Sequence, residues 1–130
     1  MQISKLMTAK VLTVSPDDSL AHANAIMEQN RFRTLPVVSG GKLVGILTDR
    51  DVKKYWGRFD VTKVEAAMTS DPLTIGPDSS AEDAARMMLQ HKISGFPVLE
   101  NGKLVGVVTT SDLLKAFLRL IQGVLELMHG

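Results

Sequence analysis

Hydrophobic and polar positions follow two distinct periods along this chain. Val11-Leu12-Thr13-Val14 is a short β-branched run closed by Ser15-Pro16-Asp17, which predicts a strand and then a turn. Leu20, Ala23 and Met27 follow at three- and four-residue steps, so a helix with one buried face is expected. Ser19, just ahead of it, carries a hydroxyl suited to accept an orphan N–H of the first turn. Residues 35–38 and 43–47 are apolar runs around Ser39-Gly40-Gly41-Lys42, the pattern of a tight hairpin whose central residues take positive φ. A second helix is predicted from near Thr48. The second half spells the same series. Leu73-Thr74-Ile75 precedes Gly76-Pro77-Asp78, and Ser80 precedes a helix buried through Ala81, Ala84, Ala85 and Met88. Val98-Leu99 and residues 104–108 then flank Glu100-Asn101-Gly102-Lys103, and a last helix is expected from near Thr109. The predicted order is βαββα, twice.

A shift of 61 residues superimposes the halves without a gap: Met7-Thr8 falls on Met68-Thr69, Pro36-Val37 on Pro97-Val98, and Gly41-Lys42-Leu43-Val44-Gly45 on Gly102-Lys103-Leu104-Val105-Gly106. Residues 6–52 and 67–113 share about 19 identities in 47 positions, where ordinary composition gives roughly three. The chain therefore holds two copies of one structural unit. A unit of about 50 residues buries too little apolar surface to offset the entropy of ordering it. The copies are expected to pack through their sheets about a pseudo-two-fold axis, giving an α/β (α+β) fold with two equivalent clefts at the seam. Such seams are where small ligands settle. The first repeat is placed at 3–60, the second at 64–118, a linker at 58–63 and a helical tail at 119–130.

Composition narrows the chemistry. The absence of cysteine excludes disulfides, thiolate metal sites and cysteine nucleophiles. His22, His91 and His129 lack the spacing of a zinc hydrolase. Fifteen Lys plus Arg against fourteen Asp plus Glu leave a formal charge of +1, which argues against a nucleic-acid binder. The greasiest stretch, 113–128, is interrupted by Lys115, Arg119, Gln122 and Glu126 and is shorter than the ~20 residues of a membrane span. No charged-then-apolar leader opens the chain, so a cytoplasmic location without membrane insertion is expected. That same stretch places Leu113, Leu114, Phe117, Leu118, Ile121, Leu125 and Met128 at helical steps, and a self-association surface is expected there.

The element Gly-x-x-Thr-x-x-Asp recurs as Gly45 to Asp51 and Gly106 to Asp112, where a strand gives way to a helix. A helix start favours anions, the Thr hydroxyl suits a phosphate oxygen, and a carboxylate one turn on suits a ribose diol. The same Thr-x-x-Asp spacing also makes a capping box, which would turn the acid back onto the backbone. Arg33 is a candidate phosphate partner, or an exposed loop cation; Ser94 occupies its place in the second copy. Arg31 and Lys92 are expected only to complement helix dipoles. Lys53, Lys54, Arg58 and Lys63 with Tyr55 and Trp56 form a basic-aromatic cluster that reads as a solvated helix face with a Trp packed at an interface. Neither a nucleophile elbow, a P-loop nor a dinucleotide fingerprint is present, and no nucleophile–base pair stands out, so no enzyme activity is expected.

Two βαββα copies in register, each with Met-Thr, Leu-Thr before Pro-Asp, Pro-Val and Gly-x-x-Thr-x-x-Asp, resemble a tandem pair of CBS (cystathionine β-synthase) domains, a Bateman module, over residues 3 to about 118. The resemblance implies a regulatory role. Adenosine ligands such as AMP, ADP, ATP, S-adenosylmethionine or NAD bind between the repeats in that family, and modules often dimerise into a disk. Carried over by position, one cleft would use Thr48 for phosphate, Asp51 for ribose and Arg33 as a cation, with Ile93, Ser94 and Gly95 beside the base and Pro72 and Leu73 at its mouth. The mirror cleft would use Thr109 and Asp112, with Phe32, Arg33 and Thr34 on the base side and Val11 and Leu12 at its mouth. Ser94 leaves that second cleft without the cation, so tighter binding is expected in the first. No cofactor is required beyond the nucleotide itself; Mg²⁺ could accompany its phosphates at Asp49 and Asp51.

With Met1 at one end and a tail helix at the other, the chain is expected to stand alone as an adenine-nucleotide sensor acting on a separate, unidentified protein by population shift. Two alternatives remain: a ligand-free structural or dimerisation module, and the regulatory part of a larger enzyme such as an IMP dehydrogenase.

Overall fold

The computed structural model describes residues 1–129; the last residue of the expected tail, Gly130, lies outside the described residues. Helix α1 (Leu20–Asn30) is followed by strands β1 (Thr34–Ser39) and β2 (Lys42–Thr48) and the short α2 (Asp49–Lys53). The second repeat runs α3 (Val64–Ala67), β3 (Thr69–Ser70), α4 (Ala81–His91), β4 (Gly95–Glu100), β5 (Lys103–Thr109) and α5 (Thr110–His129). Ser19 and Ser80 cap α1 and α4, accepting from His22 N at 3.1 Å and Asp83 N at 3.0 Å. Both hairpins turn through paired positive φ, at Gly40 and Gly41 and at Asn101 and Gly102, the geometry their sequences require.

The leading strand of each repeat is shorter than expected. Val11 to Val14 and Leu73 to Ile75 each contract to a single parallel bridge, Val14 to Val37 and Ile75 to Val98. Pro16 and Pro77 turn the chain two residues after each bridge, and the residues before it border a groove instead of joining the sheet.

Two cores result, and each takes a residue from the other repeat. Val14, Leu20, Met27, Leu35, Val37, Leu47 and Val52 pack with Val64, which belongs to the second repeat by sequence. Ile75, Met88, Phe96, Val98 and Val108 pack with Ile3 from the first. Matching hydrogen bonds tie down both lead-ins. Ile3 N donates to Ser79 O and Val64 N to Asp18 O, each at 2.8 Å. Thr8 bridges Val107 on β5, and β3 pairs with β2 through Thr69 and Ile46. The lead-ins thus cross, and the crossing explains two recurring sequence features. A Cβ at Gly106 would lie 2.6 Å from Met7 Sδ and 3.0 Å from Thr8 O, and one at Gly45 would lie 2.6 Å from Met68 Sδ and 2.9 Å from Thr69 O. Only glycine lets the lead-in backbone come this close to the strand.

Helix α5 leaves the body of the protein. Ala116 is its one buried residue, whereas Leu114, Leu118, Ile121, Leu125 and Met128, on the opposite side, are 38–74% exposed. Among the described residues, no helix is long and apolar enough to cross a membrane.

Candidate functional site

The crossed lead-ins leave a groove on each side of the seam. One, of about 520 Å³, is bordered by Val11 and Leu12 from the first lead-in, by Phe32, Arg33 and Thr34, and by Thr109 and Asp112. The other, of about 940 Å³, is bordered by Pro72 and Leu73, by Ile93, Ser94 and Gly95, and by Arg33, Thr48 and Asp51. Every residue assigned to a cleft from sequence thus borders the expected hollow. Both volumes lie in the range of small-molecule sites. The two are called here the Lys10 groove and the Asp71 groove, after residues 61 positions apart that border them in equivalent places.

Both acids form the capping box. Thr48 Oγ1 accepts from Asp51 N at 3.2 Å, and Asp51 Oδ2 accepts from Thr48 N at 3.0 Å. In the second repeat Asp112 Oδ2 accepts from Thr109 N at 2.9 Å and from the Thr109 hydroxyl at 3.1 Å. The sequence left capping and ligand binding as rivals, yet the geometry accommodates both. In each acid Oδ2 is engaged in the cap, while Oδ1 has no protein partner among the described residues and the side chain borders the groove. The cap fixes the carboxylate in place, so a bond from its other oxygen to a ligand would cost less side-chain entropy.

The cations are distributed differently from the sequence expectation. The Lys10 groove was expected to lack one, because Ser94 replaces arginine. It is in fact bordered by Lys10, Arg31, Arg33 and Lys115, with Asp112 as its sole acid. The Asp71 groove is bordered by Arg33, Arg50, Lys54 and Lys92 against Asp49, Asp51 and Asp71. The earlier ranking rested on one position, whereas the lead-in and both helix ends contribute to each hollow. Arg31 and Lys92, assigned only to helix dipoles, are left-handed residues with φ of 57° and 54° that end α1 and α4 at the groove edge. Lys54 and Lys115 were also missed. Their signal was present, since they are 61 residues apart and each lies three residues beyond the acid.

Other candidates fall elsewhere. Trp56, expected at an interface, is 80% exposed within this chain, and Phe59 meets its ring edge-on at 5.7 Å. His22 is away from both grooves, whereas His91 borders the Asp71 groove. Among the described residues no group of three or more His, Asp or Glu side chains gathers as a metal site. Asp49 and Asp51 would therefore need phosphate oxygens to complete any Mg²⁺ shell.

Paired grooves at the seam of an interlocked βαββα duplicate define a tandem-repeat fold with two hollows of small-molecule size. The family model described as CBS domain matches residues 3–58 and again 61–119, and the chain belongs to the CBS-domain family as a tandem pair. It is 43% identical over 103 residues to an inosine-5′-monophosphate dehydrogenase of Korarchaeum cryptofilum; the match covers 78% of this chain and 21% of that enzyme. The chain thus spans about a fifth of that relative's length. It is 37% identical over 114 residues to the CBS domain-containing protein YhcV of Bacillus subtilis, covering 85% of this chain and 81% of that protein. Among solved structures it resembles CBSX2 of Arabidopsis thaliana in complex with AMP, with a TM-score of 0.82 and 27% identity over 92% of this chain and 97% of that one.

Proposed function

We propose that this chain is a regulatory adenine-nucleotide sensor that holds its ligand in the seam grooves and signals to a partner protein. The observation that carries this reading is the double placement of Thr-x-x-Asp. Each copy sits at a helix start on the wall of a hollow, facing apolar residues of the other repeat suited to a base. The AMP-bound relative supports the ligand class. Thr109 or Thr48 would meet phosphate, Asp112 or Asp51 the ribose diol, and Phe32 or Ile93 the base. The Lys10 groove suits the more highly phosphorylated ligand, because its four cations face one acid. The Asp71 groove suits a less charged adenosine.

Signalling would be a population shift. A ligand that touches both repeats favours one arrangement of them over another. A second copy would cover α5, where Leu114, Leu118, Ile121, Leu125 and Met128 repeat at alternating four- and three-residue steps, the spacing of a two-helix seam.

A second reading is that the module forms part of a larger enzyme, and the dehydrogenase relative favours it. Thermal melting with AMP, ADP and ATP tests the sensor. A ligand that binds only the folded chain raises the midpoint, by about 2.7 kcal/mol of added stability at a hundredfold excess over Kd. An unchanged midpoint with all three leaves a ligand-free structural module.

A further inference from the structure

The two grooves share a wall. Arg33, Ser94 and Thr110 border both hollows. Arg33 and Ser94 are equivalent residues, 61 apart, and each precedes the strand that starts its hairpin. Their backbones are fixed alike: Asp49 N donates to Arg33 O at 3.0 Å and Thr110 N to Ser94 O at 2.9 Å. The two strand starts also meet, since a Cβ at Gly95 would lie 3.4 Å from Thr34 Oγ1. Arg33 and Ser94 therefore stand together near the pseudo-two-fold axis. By symmetry that axis would carry two identical side chains, one for each groove. Here it carries one guanidinium and one hydroxyl. Among the described residues Arg33 makes no ion pair, and it is exposed, so its charge is free to turn toward either side.

We infer that Arg33 couples the grooves negatively: an anionic ligand that captures its guanidinium in one groove weakens anion binding in the other. This inference rests on the sensor reading and adds a regulation to it. A flexible arginine turned into one groove directs its charge-assisted bonds at the phosphate held there. The second ligand then enters a hollow that has lost a cation. The sequence substitution that breaks the repeat, arginine against serine, is what creates the competition. A chain with arginine at both places would have none.

The test is one AMP titration followed by amide NMR. Thr109 and Asp112 report the Lys10 groove, and Thr48 and Asp51 the Asp71 groove. In the native chain the second groove should fill at a concentration at least about fivefold above that at which it fills in Ser94→Arg, the lower end of ordinary coupling. Ser94→Arg supplies a second guanidinium at an exposed position and should give two independent curves. One AMP per native chain and two per Ser94→Arg chain would equally support the inference. Two independent curves in the native chain, or the same single site in both chains, would overturn it while leaving nucleotide binding intact. No shift in either groove with any chain would sink the sensor reading, and this inference with it.

Discussion

The Lys10 groove and the Asp71 groove descend from one pattern and differ in charge. Their caps, their hydrophobic walls and their backbone bonds are repeated at 61-residue intervals. What separates them is a handful of rim positions. Lys10 corresponds to Asp71 in the other repeat, Thr110 to Asp49, and Ser111 to Arg50. These residues border the hollows without holding up the cores, so they are free to vary while the fold stays put. Duplication supplies the shape twice, and the rim residues give each copy a charge of its own.

The sharpest way to break the comparison is to exchange its signs. Lys10→Asp combined with Asp71→Lys should reverse the preference for ATP between the grooves. A hydrogen bond to a charged group contributes about 1.5–3 kcal/mol, so ATP binding at the Lys10 groove should fall by roughly tenfold or more in calorimetry. Unchanged affinities at both grooves would mean that rim charge does not select the ligand. A smaller effect separates the two duties of the acids. Asp112→Ala removes the cap and should cost about 1 kcal/mol, a fall in Tm of roughly 3–5 °C, together with a several-fold loss of nucleotide affinity. Asp112→Asn keeps an acceptor for the Thr109 N–H and should preserve Tm while still losing affinity. The pair Asp51→Ala and Asp51→Asn should repeat this in the other groove, and unaltered affinity in Asp51→Ala would leave that acid a cap and nothing more. The smallest effect is salt. Raising it should weaken ATP more at the Lys10 groove than at the Asp71 groove, because more of its attraction is screenable charge. Equal salt slopes would remove the electrostatic distinction.

Much of this was legible in the sequence because the duplication is written in it. The helix steps through Ala23 and Met27, the Asn101-Gly102 turn and the Thr48–Asp51 spacing are local signals, and local physics enforces them. The seam was also legible, since one short repeat cannot bury enough on its own. The crossing of the lead-ins was not. Ile3 packs under the second repeat and Val64 under the first because of a chain path that periodicity does not encode. That path decides which cations meet which hollow. Lys10 travels with Val11 and Leu12 to the groove of Thr109, and judging the rim from Arg33 and Ser94 alone missed it. The left-handed ends at Arg31 and Lys92 were hidden for another reason. Glycine is the usual residue at such a position, so a cation there gives no warning of its conformation. The leading strands failed on pairing: Val11-Leu12-Thr13 has β-branched composition but no neighbouring strand to join, and composition cannot supply one.

The measurement that bears most directly on the account is a crystal structure of the chain grown with ATP in excess. The account predicts adenosine in the Lys10 groove, with the base beside Phe32, the ribose at Asp112 and the phosphates among Thr109, Lys10 and Lys115. Density for ATP elsewhere on the surface, or an empty groove at saturating ligand, would contradict it.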